Sequence, residues 1–150
     1  MKTIVLGADH GGYELKNTIK AHLEGKGYTV IDVGTDSPES CDYPIFASRL
    51  CQRIKGGEAK LGILVCGTGI GMSMAANKHK GIRAACCSDT FSARLTRLHN
   101  DANVLCLGAR VLGAGLALDL VDAFVNAEFE GDRHIKRLYL IEDIENGNNL

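Results

Sequence analysis

An α/β fold with a five-stranded parallel sheet covered on both faces is predicted by three features of the sequence. Short β-branched runs alternate with helix-period patterns along most of the chain. The strand candidates are almost continuously apolar, as strands buried on both faces must be, and each switch is marked by glycine, aspartate or asparagine. The 150 residues carry no linker, internal repeat or low-complexity segment, so 1–150 reads as one domain, with only the tail Glu145–Leu150 expected to fray.

Taken in order, Thr3 to Leu6 is the first strand, and Asp9-His10-Gly11-Gly12 turns the chain into a helix from Tyr13 to Glu24. Thr29 to Val33 is the second strand; a loop through Asp42 and Tyr43 leads to a helix from Ile45 to Lys55. Leu61 to Cys66 is the third strand, Cys66-Gly67-Thr68-Gly69-Ile70-Gly71 its turn, and Met72 to Lys78 the next helix. Arg83 to Cys87 and Phe91 to Leu98 form the fourth strand and helix, and Val104 to Leu107 and Leu116 to Asn126 the fifth. A last helix is expected from Arg133 to about Ile144. Strand order is not encoded in any single motif, but right-handed crossovers can be assumed.

Composition excludes several function classes. A net charge of −1 gives no electrostatic case for nucleic acid or a membrane surface, and 5% aromatics without Trp argue against a base-stacking platform. The N-terminal run meets Asp9 too early for a signal peptide, and no apolar stretch approaches membrane-spanning length. Six cysteines without a CxxC pair, mostly in apolar context, fit thiols in a reducing cytoplasm. The five histidines show no HExxH or paired ligand spacing and no accompanying carboxylate cluster, so no metal and no cofactor is expected.

The residues that follow each strand should gather on one rim, where open α/β sheets hold ligands. They are Asp9 and His10, Asp42 and Tyr43, Cys66 to Gly71, Ser88 and Asp89, and Arg110. Three glycines in five positions strip the Cys66 loop of bulk, so its N–H groups can approach an anion at a helix start, a setting that favours thiolate. The plainer account is a buried thiol before a tight turn, but a turn needs one glycine and not three. A dinucleotide fingerprint is excluded by the glycine spacing and by Asp9, although Asp32 stands where a ribose-binding acid would. Thiol-phosphatase chemistry lacks its arginine, because that position is Met72, and no Gly-Lys-Ser/Thr follows for a P-loop.

Two further groups stand apart. His99-Asn100 closes a helix, which suits either a dipole-favoured histidine with an asparagine cap or a histidine acting as general acid or base near neutral pH. Arg133 and Arg137, four apart, put positive charge in the opening turns of the last helix, where it opposes the macrodipole. A phosphate monoester held between them accounts for that placement better than a solvated basic face does.

Together, Asp9-His10-Gly11-Gly12, Asp42-Tyr43-Pro44, Cys66 to Gly71, Ala75-Ala76-Asn77-Lys78, Arg94, His99-Asn100-Asp101, Gly108-Ala109-Arg110 and Gly131-Asp132-Arg133-His134 resemble the type B ribose-5-phosphate isomerases over essentially the whole chain. That family also holds allose-6-phosphate and galactose-6-phosphate isomerases. The resemblance implies a Rossmann-like α/β/α sandwich and metal-free interconversion of ribose 5-phosphate and ribulose 5-phosphate in the pentose phosphate pathway. By position it makes Cys66 the base that moves a proton between C2 and C1, with the amides of Gly67, Thr68, Gly69, Ile70 and Gly71 around the oxyanion and the Thr68 hydroxyl beside the reacting oxygens. It makes His99 the ring-opening group, assisted by Asp9; His10, Arg110, Arg133 and Arg137 the phosphate ligands; and Tyr43 and Asn100 sugar or side-chain contacts. A second branch of the family uses a glutamate after the glycine loop, where this chain has Met72. The family's site is completed across an interface, so a homodimer or dimer of dimers is implied, with a small sugar phosphate as ligand. A sugar-phosphate sensor without turnover and a thiol redox protein are the rivals from other classes.

Overall fold

The computed structural model describes residues 2–150. Strands β1 (Thr3–Ala8), β2 (Thr29–Asp32), β3 (Leu61–Cys66), β4 (Ala84–Cys86) and β5 (Val104–Gly108) form one parallel sheet in the order β2-β1-β3-β5-β4. Helices α1 (Tyr13–Gly25), α2 (Tyr43–Lys55), α3 (Ile70–Ala76) and α4 (Thr90–Asn100) are the crossovers, α5 (Ala114–Val125) follows the last strand, and α6 (Ile135–Glu145) follows a 3-10 turn over Asp132–His134. Strand order reverses between β1 and β3, which opens the ligand-binding crevice of such sheets beside Ala8 and Cys66.

Alternation along the strands builds two cores. Ile4, Leu6, Ile63, Val65, Leu105 and Leu107 face α1, α4 and α5, whose stripes include Leu15, Ile19 and Leu23, then Ala93, then Leu120, Val121 and Phe124. Val5, Leu64, Cys66, Val104 and Cys106 face α2 and α3, meeting Phe46, Leu50, Met72 and Ala76. Each fully buried Leu or Ile contributes about 1.5–3 kcal/mol, so the sheet is held from both sides. This is the expected three-layer sandwich. Helix α6 is the exception: none of its residues is buried, and Ile135, Tyr139, Leu140, Ile141 and Ile144 stand exposed.

Several boundaries move from the sequence expectation. Pro44 sits in the first turn of α2, which therefore starts at Tyr43 and not at Ile45, because proline gives up no helical hydrogen bond there. Helix α3 begins two residues early, at Ile70, since Gly69 reverses the chain at φ 80 and needs no longer turn. Strand β4 is shorter than expected, because Arg83 N–H donates to the Asn103 side chain instead of joining the ladder. The cap of α4 is Asp101 at φ 44, and not Asn100. Among the described residues, no helix is long and apolar enough to cross a membrane.

Candidate active site

The rim at the C-terminal ends of β1 and β3 assembles as the residues after the strands suggested. Asp9 N–H extends the ladder to Val65 O, and its buried carboxylate accepts from Gly11 N–H at 2.9 Å and Gly12 N–H at 3.2 Å. Gly12 is obligatory there, because a Cβ would lie 2.4 Å from Val65 O, and Gly11 packs against Gly67. The Asp9 loop is thus locked onto the Cys66 loop. His10 is oriented by its Nδ1, which lies 3.2 Å from both the N and the O of Cys41.

Cys66 ends β3 with 5% of its surface exposed, and Gly69 N–H donates to its Sγ at 3.1 Å. The Thr68 hydroxyl accepts from Ile70 N–H at 3.3 Å, while its carbonyl faces the Cys86 thiol. A Cβ on Gly71 would stand 2.6 Å from Tyr43 Cζ, so the tyrosine ring lies directly on the loop. The Arg110 side chain runs over Gly67 from the other side, its backbone N–H bonded to Gly67 O at 3.0 Å. Burial pushes the thiols of Cys51 and Cys87 up to about 11 and raises those of Cys86 and Cys106 as well. Met72 is fully buried under the loop, so its side chain is core and not chemistry. A cleft of about 440 Å³ lined by His10, Gly11, Glu14, Pro38 and Arg110 opens beside this rim.

Asp89, Asp42 and Asp32 have structural settings. Asp89 caps α4 by accepting from Ser92 N–H at 2.7 Å, and Asp42 occupies the cap position of α2 without a side-chain bond. Asp32, the stand-in for a ribose acid, is paired with the buried Lys16 ammonium at 2.9 Å, which also donates to Thr35 O at 2.7 Å. That pair was not visible in the sequence.

His99, Asn100, Arg133 and Arg137 are not on this rim. Helix α4 leaves the rim after β4 and descends for 11 residues, roughly 16 Å, to the N-terminal edge of the sheet. There the Arg83 guanidinium, just before β4, donates to the carbonyls of Asn100 and Asp101. The segment after α5 is tied to this end by Glu130 N–H, which donates to Leu98 O at 3.0 Å. The His99 and His134 rings stack at 4.3 Å and 16°, with Glu130 Oε2 3.9 Å from His99 Nε2 and 3.6 Å from His134 Nε2. Burial, Arg133 and His99 hold the His134 imidazole below its ordinary value, against the pull of Glu130. Arg133 lies in the 3-10 turn and Arg137 in the first turn of α6, both exposed.

One chain therefore presents two sets of groups on opposite edges: a thiol, hydroxyl, carboxylate and glycine loop on one, an imidazole pair with two guanidinium groups on the other. The view that no carboxylate accompanies the histidines is corrected here, because Glu130 and His134, four positions apart across the turn at Gly131, come together and His99 joins them through the fold. The Glu-x3-His spacing was the available signal for both residues.

Residues 4–141 match the family described as Ribose/Galactose Isomerase. The chain is 52% identical over 149 residues to ribose-5-phosphate isomerase B of Escherichia coli K12, covering 99% of this chain and 100% of that one. The structure of Clostridium thermocellum ribose-5-phosphate isomerase B superposes with a TM-score of 0.95 at 52% identity, over 97% of this chain and 98% of that chain. Ribose-5-phosphate isomerase B of Mycoplasma genitalium, solved with bound ribulose-5-phosphate, does so with a TM-score of 0.91 at 41% identity, over 96% of each chain.

Proposed function

The chain belongs to the ribose/galactose isomerase family, and on that premise we propose that it interconverts D-ribose 5-phosphate and D-ribulose 5-phosphate, each active site being shared by two copies. The observation that carries the reading is the Cys66 sulfur, held by Gly69 N–H at the mouth of a glycine loop, with the Tyr43 ring against that loop and Arg110 across it. Proton removal from a carbon α to a carbonyl needs a base in reach and strong stabilisation of the oxygen that becomes charged. The Cys66 thiolate takes the C2 proton of the open-chain aldose, the electrons pass to O1, and the amides of residues 67–71 with the Thr68 hydroxyl hold the enediolate. The O2 hydroxyl proton then passes to O1, and as the C2 carbonyl forms the same sulfur returns its proton to C1.

The furanose must first open. The partner's His99 protonates the ring oxygen as the bond from C1 breaks, while Asp9, fixed by two amides, takes the O1 hydroxyl proton. His10 and Arg110, with the partner's Arg133 and Arg137, hold the phosphate, and Tyr43 and the partner's Asn100 line the sugar. A homodimer or dimer of dimers supplies the second edge, and the exposed apolar face of α6 gives that assembly a surface. The six free thiols support a reducing compartment, the cytoplasm, as the setting of a reaction that on this reading needs no metal or cofactor.

The test is to incubate the protein with ribose 5-phosphate and follow ribulose 5-phosphate, then repeat with Cys66→Ala. The variant is expected to lose exchange of the C2 proton with solvent while keeping affinity for a non-reacting pentose phosphate. Undiminished turnover would remove Cys66 as base. Faster turnover of allose 6-phosphate than of ribose 5-phosphate would move the substrate to hexoses, and absence of turnover would favour a sensor.

A further inference from the structure

We propose that His99, Glu130 and His134 form a binding site for a divalent cation of the zinc class, and that filling it inhibits the isomerase. The inhibitory half rests on the ring-opening role given to His99 above; the binding half rests on the geometry alone.

Two imidazoles and one carboxylate are a zinc donor set that leaves a fourth position open. Their ligand atoms all lie within 4.8 Å of one another, and both Nε2 atoms address the same oxygen, Glu130 Oε2, at 3.9 and 3.6 Å. Those separations are too long for hydrogen bonds, so the three groups are gathered without bonding one another. Ligands on a tetrahedral zinc with bonds of about 2.0–2.1 Å stand roughly 3.3 Å apart, so closing the site asks for movements of only about half an ångström at each contact to Glu130.

A second, independent observation points to a missing ligand. His134 is only 5% exposed, and its Nε2 is a buried polar atom without a hydrogen-bond partner. An orphaned nitrogen of this kind is costly to keep. A cation beside Glu130 would satisfy it, whereas an anion in the same position would meet the carboxylate. The scaffold is fixed on both sides, because Glu130 N–H donates to Leu98 O and His134 N–H to Gly131 O. Access comes from His99 and Glu130, whose side chains are 33% and 43% exposed and leave the fourth position open to water. Two features oppose capture and set its strength. The rings must splay from their 16° stack for the lone pairs to converge, and Arg133 and Arg137 add positive charge nearby. The metal is therefore an inhibitor in exchange with solution and not a resident cofactor.

The experiment uses the full-length protein after treatment with a chelator. Zinc is titrated against a chromophoric chelator, and cobalt(II) serves as the spectroscopic probe. One ion per chain is expected, with visible cobalt bands of a nitrogen and oxygen set and no sulfur charge-transfer band in the near ultraviolet. Glu130→Gln and His134→Asn should each weaken zinc by about tenfold or more, and zinc should compete with ribose 5-phosphate. Glu130→Gln, at a half-exposed position, keeps the test available should the buried His134→Asn fail to fold. Absence of binding up to millimolar zinc, equal affinity in Glu130→Gln, or a thiolate charge-transfer band would each overturn the site. Zinc binding without competition against substrate would overturn the inhibition. Turnover lost on chelation and restored by zinc would likewise overturn the inhibition, whereas absence of turnover both before and after chelation would count against the isomerase reading instead, and the cobalt spectrum would still decide the metal site.

Discussion

Mixing two dead variants should restore activity, because the structure puts Cys66 and His99 on opposite edges of the same sheet. The perturbations are Cys66→Ala, which removes the proposed base from one edge, and His99→Asn, which removes the proposed ring-opening group from the other, roughly 16 Å down α4. General acid–base groups contribute about 10²–10⁴-fold, so each variant alone should retain about a hundredth of the activity or less. Let the two be denatured together in equal amounts and refolded, so that copies pair at random. A site that takes its thiol from one copy and its imidazole from the other has an even chance of an intact group on each side. About one quarter of the sites are then whole, whether the assembly is a two-fold dimer or a ring. The assay is ribulose 5-phosphate formation, with Cys66→Ala mixed with Asp9→Ala as the control; both lie on one edge, so that pair should recover nothing. Recovery absent from the first mixture, with assembly shown by sedimentation, would mean that both groups act from one chain and would refute the shared site.

Three other outcomes follow from contacts in the fold. Gly71→Ala places a Cβ 2.6 Å from Tyr43 Cζ and must push that ring off the loop, so kcat/KM should fall roughly ten- to a hundredfold with the thermal midpoint little changed; equal kinetics would show that the ring does not position substrate. Lys16→Met leaves Asp32 and Thr35 O without the buried ammonium and should cost about 3 kcal/mol in urea unfolding, a figure that an unchanged midpoint would contradict. Burial tends to raise the Asp122 carboxyl, but the hydrogen bonds from Lys26 and His22 outweigh it and hold it below its ordinary value. Its contribution to stability is therefore present above the ordinary carboxylate range and is lost as pH falls through that range and below it, so the gap in urea midpoint between the wild type and Asp122→Asn should close on acidification. A gap that widened at low pH would reverse the assignment.

The sheet and its rim were legible because both depend on local pattern. Nearly continuous apolar runs between switches at glycine, aspartate or asparagine locate all five strands, and the rule that loops after parallel strands share one edge predicts that Asp9, His10, Tyr43, Cys66 and Arg110 meet. Placing His99 required more than pattern. Being at the end of α4 already implied the far edge, but the resemblance gives each site residue only by position and leaves open which copy supplies it. Glu130 was missed because its meaning comes from Leu98, 32 positions away in sequence, whose carbonyl anchors it. The Lys16–Asp32 pair was missed for the same reason: a buried lysine at 3% exposure looks like any helix-surface lysine until its partner strand is known. Side chains that act across the fold carry no local periodicity, and the spacing Glu130-x3-His134 was the one trace left in the sequence.

Helix α6 has 11 residues and buries none of them, and Arg137 lies in its first turn. A helix that short is marginal in water on its own, so whatever covers its apolar face also sets how often it is formed. Under the shared-site arrangement, association and phosphate affinity become a single linked equilibrium. Dilution then acts as a competitive inhibitor would: the apparent KM climbs as copies separate and the arginine-bearing helix frays, while saturating substrate draws the assembly back together.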